Sequence, residues 1–415
     1  MRNEYDVLIV GGGMVGASLA CALLPVAAQL ELRVAVVEAE AMPKSGEPVF
    51  QPSYDARSTA LAFGVRAAFE RMGIWETLAE HLTAIEHIHV SDKGHFGSTR
   101  LDAEREHVPA LGYVVENHWL GQVLLSRLRQ DGAPWVDFIS PAEVLDLDNR
   151  AEGCKVLLRK DECEHAISAD LVVMADGGRS ALREKIGIGY RQSSYEQHAL
   201  VANVSLDRPH RNIAYERFTD TGPIALLPGE DLDGQARCGL VWTLPEGQVD
   251  EILALDERVF LERLQQRFGY RAGRLVRVGE RYHYPLKLVL AEEQVRAGLV
   301  VLGNAAHALH PIAGQGFNLA FRGVTALADL IIQRSRESLP LGELQALQAF
   351  EEARRSDQFR TIQFSDRTMK LFTSEQPMLT LTRDIGLALL DVCPLAKTLL
   401  ARAAMGLDQP APHLR

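Results

Sequence analysis

The stretch YDVLIVGGGMVGASLA, residues 5–20, decides the fold. Tyr5–Val10 is a short apolar run that stops at three glycines, the pattern of a strand buried on both faces. Met14–Leu24 is apolar on all sides and reads as a buried helix. Arg33–Glu38 (RVAVVE) is a second such strand, completing a βαβ unit. Between strand and helix stands Gly11-x-Gly13-x-x-Gly16. Gly11 allows the tight turn, Gly13 lets the backbone approach a pyrophosphate, and Gly16 lets helix and strand pack closely. Phosphates would then sit at the helix N-terminus, where free N–H groups and the dipole favour negative charge. Glu38 ends the second strand, 22 residues past Gly16. It is placed to accept from a ribose 2′-hydroxyl, which points to FAD or NAD(H) and away from NADP.

The same region raises another reading. Val7–Leu30 carries no charged residue, long enough for a membrane span. Its flank MRNEYD sets one Arg against one Glu and one Asp, the wrong balance for a signal peptide. The glycines and Pro25 would weaken a spanning helix, so strand, turn and buried helix is the expectation.

Of 415 residues, 47% are apolar and 24% charged, which predicts a soluble globular chain of two or three domains, or one large domain with insertions. A disordered tail, a collagen-like chain and a coiled coil are excluded. With 44 Lys+Arg against 55 Asp+Glu the net charge is −11, unfavourable to nucleic acid. Five cysteines, at 21, 154, 163, 238 and 393, form no C-x-x-C and predict free thiols in a reducing compartment. His307 and His310 have no nearby carboxylate, and no metal is expected.

Further elements follow from spacing. Leu61–Leu82 and His118–Leu128 carry apolar residues at helical intervals. Asp170–Ala175 and Gly298–Leu302 are buried-strand runs. Residues 198–245 alternate apolar and polar with Gly and Pro turns, as in an antiparallel sheet. Residues 255–268 read as a helix and 343–373 as a long charged helix with a solvated face. The tail after Pro377 is amphipathic and helical. The expected class is α/β, α+β overall: a discontinuous nucleotide-binding domain (1–80, 104–186, 272–335), an inserted antiparallel-sheet domain for substrate (81–103, 187–271), and a C-terminal helical segment (336–415).

Two more segments follow strands. DLVVMADGGRSALR (170–183) holds Asp176-Gly177, and GLVVLGNAAHALHPIAGQGFNLAFRG (298–323) holds Gly303-Asn304 and the loop His310–Asn318. In this order, the three segments resemble the single-component flavoprotein aromatic monooxygenases, the fold group of para-hydroxybenzoate hydroxylase. HPIAGQGFN, HVSDKGHFG (89–97), GYVVEN (112–117) and YERFTDTGPIALLP (215–228) resemble their ubiquinone-biosynthesis hydroxylase branch. The resemblance runs over most of residues 4–405.

That resemblance implies FAD as cofactor and NAD(P)H and O2 as co-substrates. The implied reaction is ring hydroxylation of a polyprenylated phenol of the 2-polyprenyl-6-methoxyphenol type, through a flavin C4a-hydroperoxide. Another flavin-fold enzyme (a soluble-phenol hydroxylase, a halogenase or a prenyl reductase) is the alternative. Gly11, Gly13, Met14, Gly16 and Glu38 would hold the ADP half of FAD. Asp55 and Arg57 would lie near the flavin, and Gln122 on the phosphate side. Asp176 would serve FAD and NAD(P)H, and Gly303 and Asn304 the ribityl or pyrophosphate part. Pro311 and the backbone of Gly314, Gln315, Gly316, Phe317 and Asn318 would line the isoalloxazine. His310 and Pro311 are the catalytic candidates, and Arg217 and Phe218 the substrate contacts. The helix after the loop would stabilise the negative charge of reduced flavin. Asn304 stands where the family has Asp, and Ala320 and Gly323 where related hydroxylases have Gly and Asp. The expected setting is cytoplasmic, with other ubiquinone-biosynthesis proteins as partners and at most peripheral membrane contact.

Overall fold

In a computed structural model, the structure describes residues 2–42, 57–95, 97–150, 153–178, 182–232, 234–373, 393–408 and 413–414. Glu4–Val10 forms the central strand of the first sheet, parallel to Val34–Val37 on one side and to Cys163–Met174 on the other. Val136–Ile139 and Leu299–Val301 extend the sheet in parallel at either end. Val7–Ile9, Val34–Val36 and Leu171–Met174 are fully buried, as unbroken apolar runs require when helices cover both faces. The uncharged stretch is therefore a strand, a glycine turn and the helix Met14–Ala27. That helix packs against helices Asn117–Asp131 and Gln315–Arg336. Among the described residues no helix is long and apolar enough to cross a membrane.

The second sheet is mostly antiparallel, as the alternation over 198–245 predicts. Its described order is His307–Ala308, Tyr282–Ala291, Tyr190–Leu206, Gln235–Pro245, Gly222–Leu232, Ile213–Thr219, His87–Asp92 and Ser98–Asp102. One face is covered by helix Glu257–Phe268, which buries Phe260, Leu264 and Phe268 against Tyr215, Leu226 and Trp242. The opposite face meets the nucleotide-binding half: Ala214 and Leu227 pack with Ala60, Phe63, Ala401 and Met405.

Three expectations are corrected. Leu61–Leu82 is not one helix. Ser58–Ala62 is a strand paired with Gly112–Glu116, and the helices Arg66–Arg71 and Trp75–Ala79 are separated at Gly73. Gly73 has φ +70°, a left-handed conformation that ends a helix. The boundary at 271/272 falls inside the second sheet, because Leu275–Val278 and Tyr282–Ala291 both pair with Tyr190–Leu206. Helix Leu344–Thr373 is not simply solvated: Leu347, Arg354, Asp357, Ser365 and Met369 are buried along it.

Of the C-terminal tail, Leu379, Ile385, Leu389 and Leu390 lie outside the described residues. The helix Pro394–Ala404 is described, and Gly64 N donates to Met405 O at 2.8 Å just beyond it. Cys21, Cys154 and Cys238 are buried thiols, and Cys163 and Cys393 are exposed.

Candidate flavin site

The glycine turn is held by sterics that leave no room for a side chain. Gly11 has φ +101°, and a Cβ there would stand 2.7 Å from Ala175 O. At Gly16 a Cβ would lie 1.9 Å from Gly11 O, so helix and turn touch backbone to backbone. Gly13 caps the helix without a side-chain hydrogen bond, and the first turn, beginning at Met14, carries no acid. The helix N-terminus is thus bare, as an anion site needs. Glu38 lies over the turn: Oε2 accepts from Gly12 N at 2.6 Å and Oε1 from Glu40 N at 3.0 Å. A carboxylate has about four lone-pair positions, so acceptor capacity remains for a ribose hydroxyl.

The same end of the sheet gathers the other two motifs. Asp176 follows strand Cys163–Met174, with its Cα 2.8 Å from where a Gly11 Cβ would be. Its Oδ1 accepts from Gly178 N at 3.0 Å, closing a tight turn. A Cβ on Gly178 would stand 3.5 Å from Asn304 O, and one on Gly303 (φ +65°) 3.0 Å from the Val15 side chain. Gly11–Gly16, Glu38, Asp176, Gly303 and Asn304 therefore converge at the carboxyl ends of the parallel strands, where open α/β sheets bind ligands.

The second glycine loop faces the second sheet. Gly314 is left-handed (φ +61°, ψ +24°) and caps helix Gln315–Arg336, again with no side-chain cap and no acid in the first turn. A Cβ on Gly314 would stand 3.0 Å from Ala60 Cβ. Asn318 joins the loop to strand Ser58–Ala62: its Oδ1 accepts from Ala62 N, and its Nδ2 donates to Ala60 O and Gly314 O, each at 2.8 Å. The Asn318 side chain is buried and committed to these bonds, whereas Pro311, Gly314, Gln315, Gly316 and Phe317 are half-buried. Arg57 lies at the start of the same strand; its guanidinium stands over the Tyr284 ring at 5.6 Å and its carbonyl accepts from Asn117 N. Gln122 borders a cavity of about 340 Å³ between the two halves, together with Ser58, Glu116, Trp119, Asn203 and Arg237. Asp55 lies outside the described residues.

His310 sits in the interior beside the flavin loop. It is fully buried, its ring edge-on to Tyr195 at 5.3 Å, and its carbonyl accepts from Ser365 Oγ at 3.2 Å. Burial pushes its pKa down to about 3, and that of His307 down to about 4, so both rings are neutral near pH 7.

Arg217 and Phe218 cannot share a cavity, because neighbouring strand residues point to opposite faces. Phe218 lies on the face toward the nucleotide-binding half and stacks on Phe372 with ring centroids 3.5 Å apart. Arg217 lies on the other face, beside Ser91.

Two features were missed by the sequence reading. The side chain of Asn318, where the resemblance implies only a backbone contact, bonds back to Gly314 O in the preceding turn and across to strand Ser58–Ala62. The other is the buried group Arg322–Asp357–Arg354, two of whose members stand on the helix expected to be solvated. Arg322 forks onto Asp357 at 2.9 and 3.0 Å, Arg354 bonds it at 2.6 Å, and Arg354 also donates to Leu319 O in the flavin-loop helix. Packing does not account for the departure at Gly323: a Cβ there would make ordinary contact, 3.4 Å from the Leu302 side chain.

A parallel sheet with a bare helix N-terminus, apposed to a second sheet and a second bare N-terminus, defines an FAD-binding enzyme of the two-sheet monooxygenase class. Residues 4–365 match the family described as FAD binding domain, and the chain belongs to that family of flavoprotein monooxygenases. It is 35% identical to the ubiquinone hydroxylase UbiL of Rhodospirillum rubrum over 97% of this chain and 89% of that one. It is 28% identical to the 3-demethoxyubiquinol 3-hydroxylase of Escherichia coli over 98% of this chain and all of that one. The fold is shared with p-nitrophenol 4-monooxygenase from Pseudomonas putida (TM-score 0.75, 18% identity, 98% of this chain and 99% of that one). It is also shared with PqsL from Pseudomonas aeruginosa (TM-score 0.75, 21% identity, 93% and 100%).

Proposed function

We propose that this chain is an FAD- and NAD(P)H-dependent monooxygenase that hydroxylates the ring of a polyprenylated phenol in ubiquinone biosynthesis. The observation that carries it is the pair of bare helix N-termini, Gly13 and Gly314, on a chain akin to ubiquinone hydroxylases along nearly its whole length. Bound FAD would supply hydride acceptance and oxygen activation, chemistry that amino-acid side chains lack.

The residues have distinct parts in this reading. The Gly11–Gly16 turn and Glu38 hold the adenosine and pyrophosphate. Asp176, Gly303 and Asn304 border the ribityl chain. The first turn of helix Gln315–Arg336 places backbone N–H groups and the positive end of its dipole beside the ring, where they favour negative charge. Strand Ser58–Ala62 and the inner face of the second sheet enclose the ring and exclude water. With only one G-x-G-x-x-G, NAD(P)H binds transiently rather than in a second nucleotide domain.

The test is a purified, yellow protein whose NAD(P)H oxidation accelerates when a prenylphenol is added. Colourless protein that takes up no FAD would refute the reading. Acceleration by short phenols but not by prenylated ones would shift it to a soluble-phenol hydroxylase.

A further inference from the structure

The outer face of the second sheet carries positive charge that the flavin site does not use. Register places His89 beside Tyr215 and Ser91 beside Arg217 on that face, with Arg100 directly opposite His89 on the next strand. Arg271 is brought alongside by Tyr215, whose hydroxyl donates to Arg271 O at 3.3 Å. Arg100 and Arg271 are exposed, Arg217 is half-buried, and His89 and Ser91 are buried beneath them. Arginines thus stand at the surface on this side of the sheet, with polar groups buried beneath them.

These polar groups are under-satisfied. Arg217 reaches Ser91 Oγ only at 3.4 Å, its Nε is buried without a partner, and His89 Nδ1 is buried without one. Buried polar groups are nearly always paired, so two orphans side by side mark a missing partner. The field there is positive. Burial, then repulsion from Arg271, lowers the Arg217 pKa, with attraction to Asp92 ranking behind both. Burial, then Arg271, Arg100 and Arg217, pushes His89 down to about 4.

We propose that this cluster binds a phosphate group, held by Arg217, Arg271, His89 and Ser91. A tetrahedral dianion accepts from several converging donors, and guanidinium forks match its oxygens. The site lies on the face of the sheet away from strand Ser58–Ala62, so it is separate from the cofactor's own phosphates. The phosphate can be free in solution or the headgroup of a phospholipid.

The test uses FAD-loaded full-length protein. Isothermal titration with inorganic phosphate should show one site per chain, weakened at least tenfold in R217M and in R271Q. Arg271 is exposed, so R271Q keeps the test valid if R217M folds poorly; retained FAD checks the fold. Co-sedimentation with vesicles of phosphatidylglycerol, against phosphatidylcholine alone, separates the sources. Phosphatidylglycerol binding lost in both variants, without a response to inorganic phosphate, assigns the headgroup. Binding of neither probe, or binding unchanged in both variants, would overturn the proposal.

Discussion

Asn318 and Ala62 are joined across 256 residues of sequence by one hydrogen bond of 2.8 Å, Ala62 N donating to Asn318 Oδ1. With the bonds to Ala60 O and Gly314 O, this amide fixes the second glycine loop on the strand that begins beside Arg57. Asn318→Ala leaves the buried Ala62 N–H and the partly buried Ala60 O unpaired, at about 1–3 kcal/mol for the buried group. We expect a lower urea midpoint and weaker FAD binding, read by flavin fluorescence. Asn318→Asp should do at least as much harm near pH 7, since it turns a carboxylate oxygen toward two carbonyls.

Glu38 is the acid at the adenosine end. Its carboxylate accepts from Gly12 N at 2.6 Å, and in the proposed complex it also meets the ribose. Hydrogen bonds to a charged group contribute about 1.5–3 kcal/mol, roughly tenfold to a hundredfold in affinity. Glu38→Ala should loosen FAD by that factor in titrations of the deflavinated protein, and Glu38→Gln by less.

His307 and His310 give the fold an acid-sensitive element behind the flavin loop. Both have pKa values lowered by burial, to about 4 and about 3. An unfolded histidine titrates near 6.5, so the unfolded chain gains protons first as pH falls. The contribution is complete above about pH 6.5 and is lost as pH drops toward the folded values. It amounts to about 3 kcal/mol for His307 alone by pH 4. Unfolding midpoints should fall steadily from pH 7 to pH 4.5, and His310→Leu should flatten that slope. An unchanged slope would show that His310 is not neutral and buried.

Asp357 holds two guanidiniums in the interior beside the flavin-loop helix. Burial opposes its ionisation, but Arg322 and then Arg354 keep its carboxyl below the ordinary range. Its stabilisation is present above the unfolded value, about 3.9, and is lost as pH falls through the lower folded value. Asp357→Asn leaves the arginines uncompensated and should destabilise by about 3–5 kcal/mol in urea unfolding. Adding Arg354→Met should restore part of that loss.

What was legible in the sequence was what depends on local periodicity. Val7–Ile9 and Leu171–Met174 are buried on both faces and show it as unbroken apolar runs. Gly11 and Gly314 announce themselves because only glycine suits their left-handed turns beside other backbone. The misread stretch, 61–82, has helical spacing because two short helices follow a strand in one apolar cluster; Gly73 was the overlooked signal. Arg217 and Phe218 were assigned together by resemblance, although adjacent positions of a strand must diverge. Long-range polar pairings, such as Asn318 with Ala62 or Arg322 with Asp357, leave no periodic trace.

The central proposal is that this chain inserts oxygen into the ring of a prenylated phenol. The most direct measurement is a turnover of FAD-loaded protein with NAD(P)H, a prenylphenol and ¹⁸O₂, followed by mass spectrometry of the product. One ¹⁸O atom in the new ring hydroxyl is the expected result. NAD(P)H consumed with no oxygenated product, or a hydroxyl carrying only ¹⁶O from water, would contradict it.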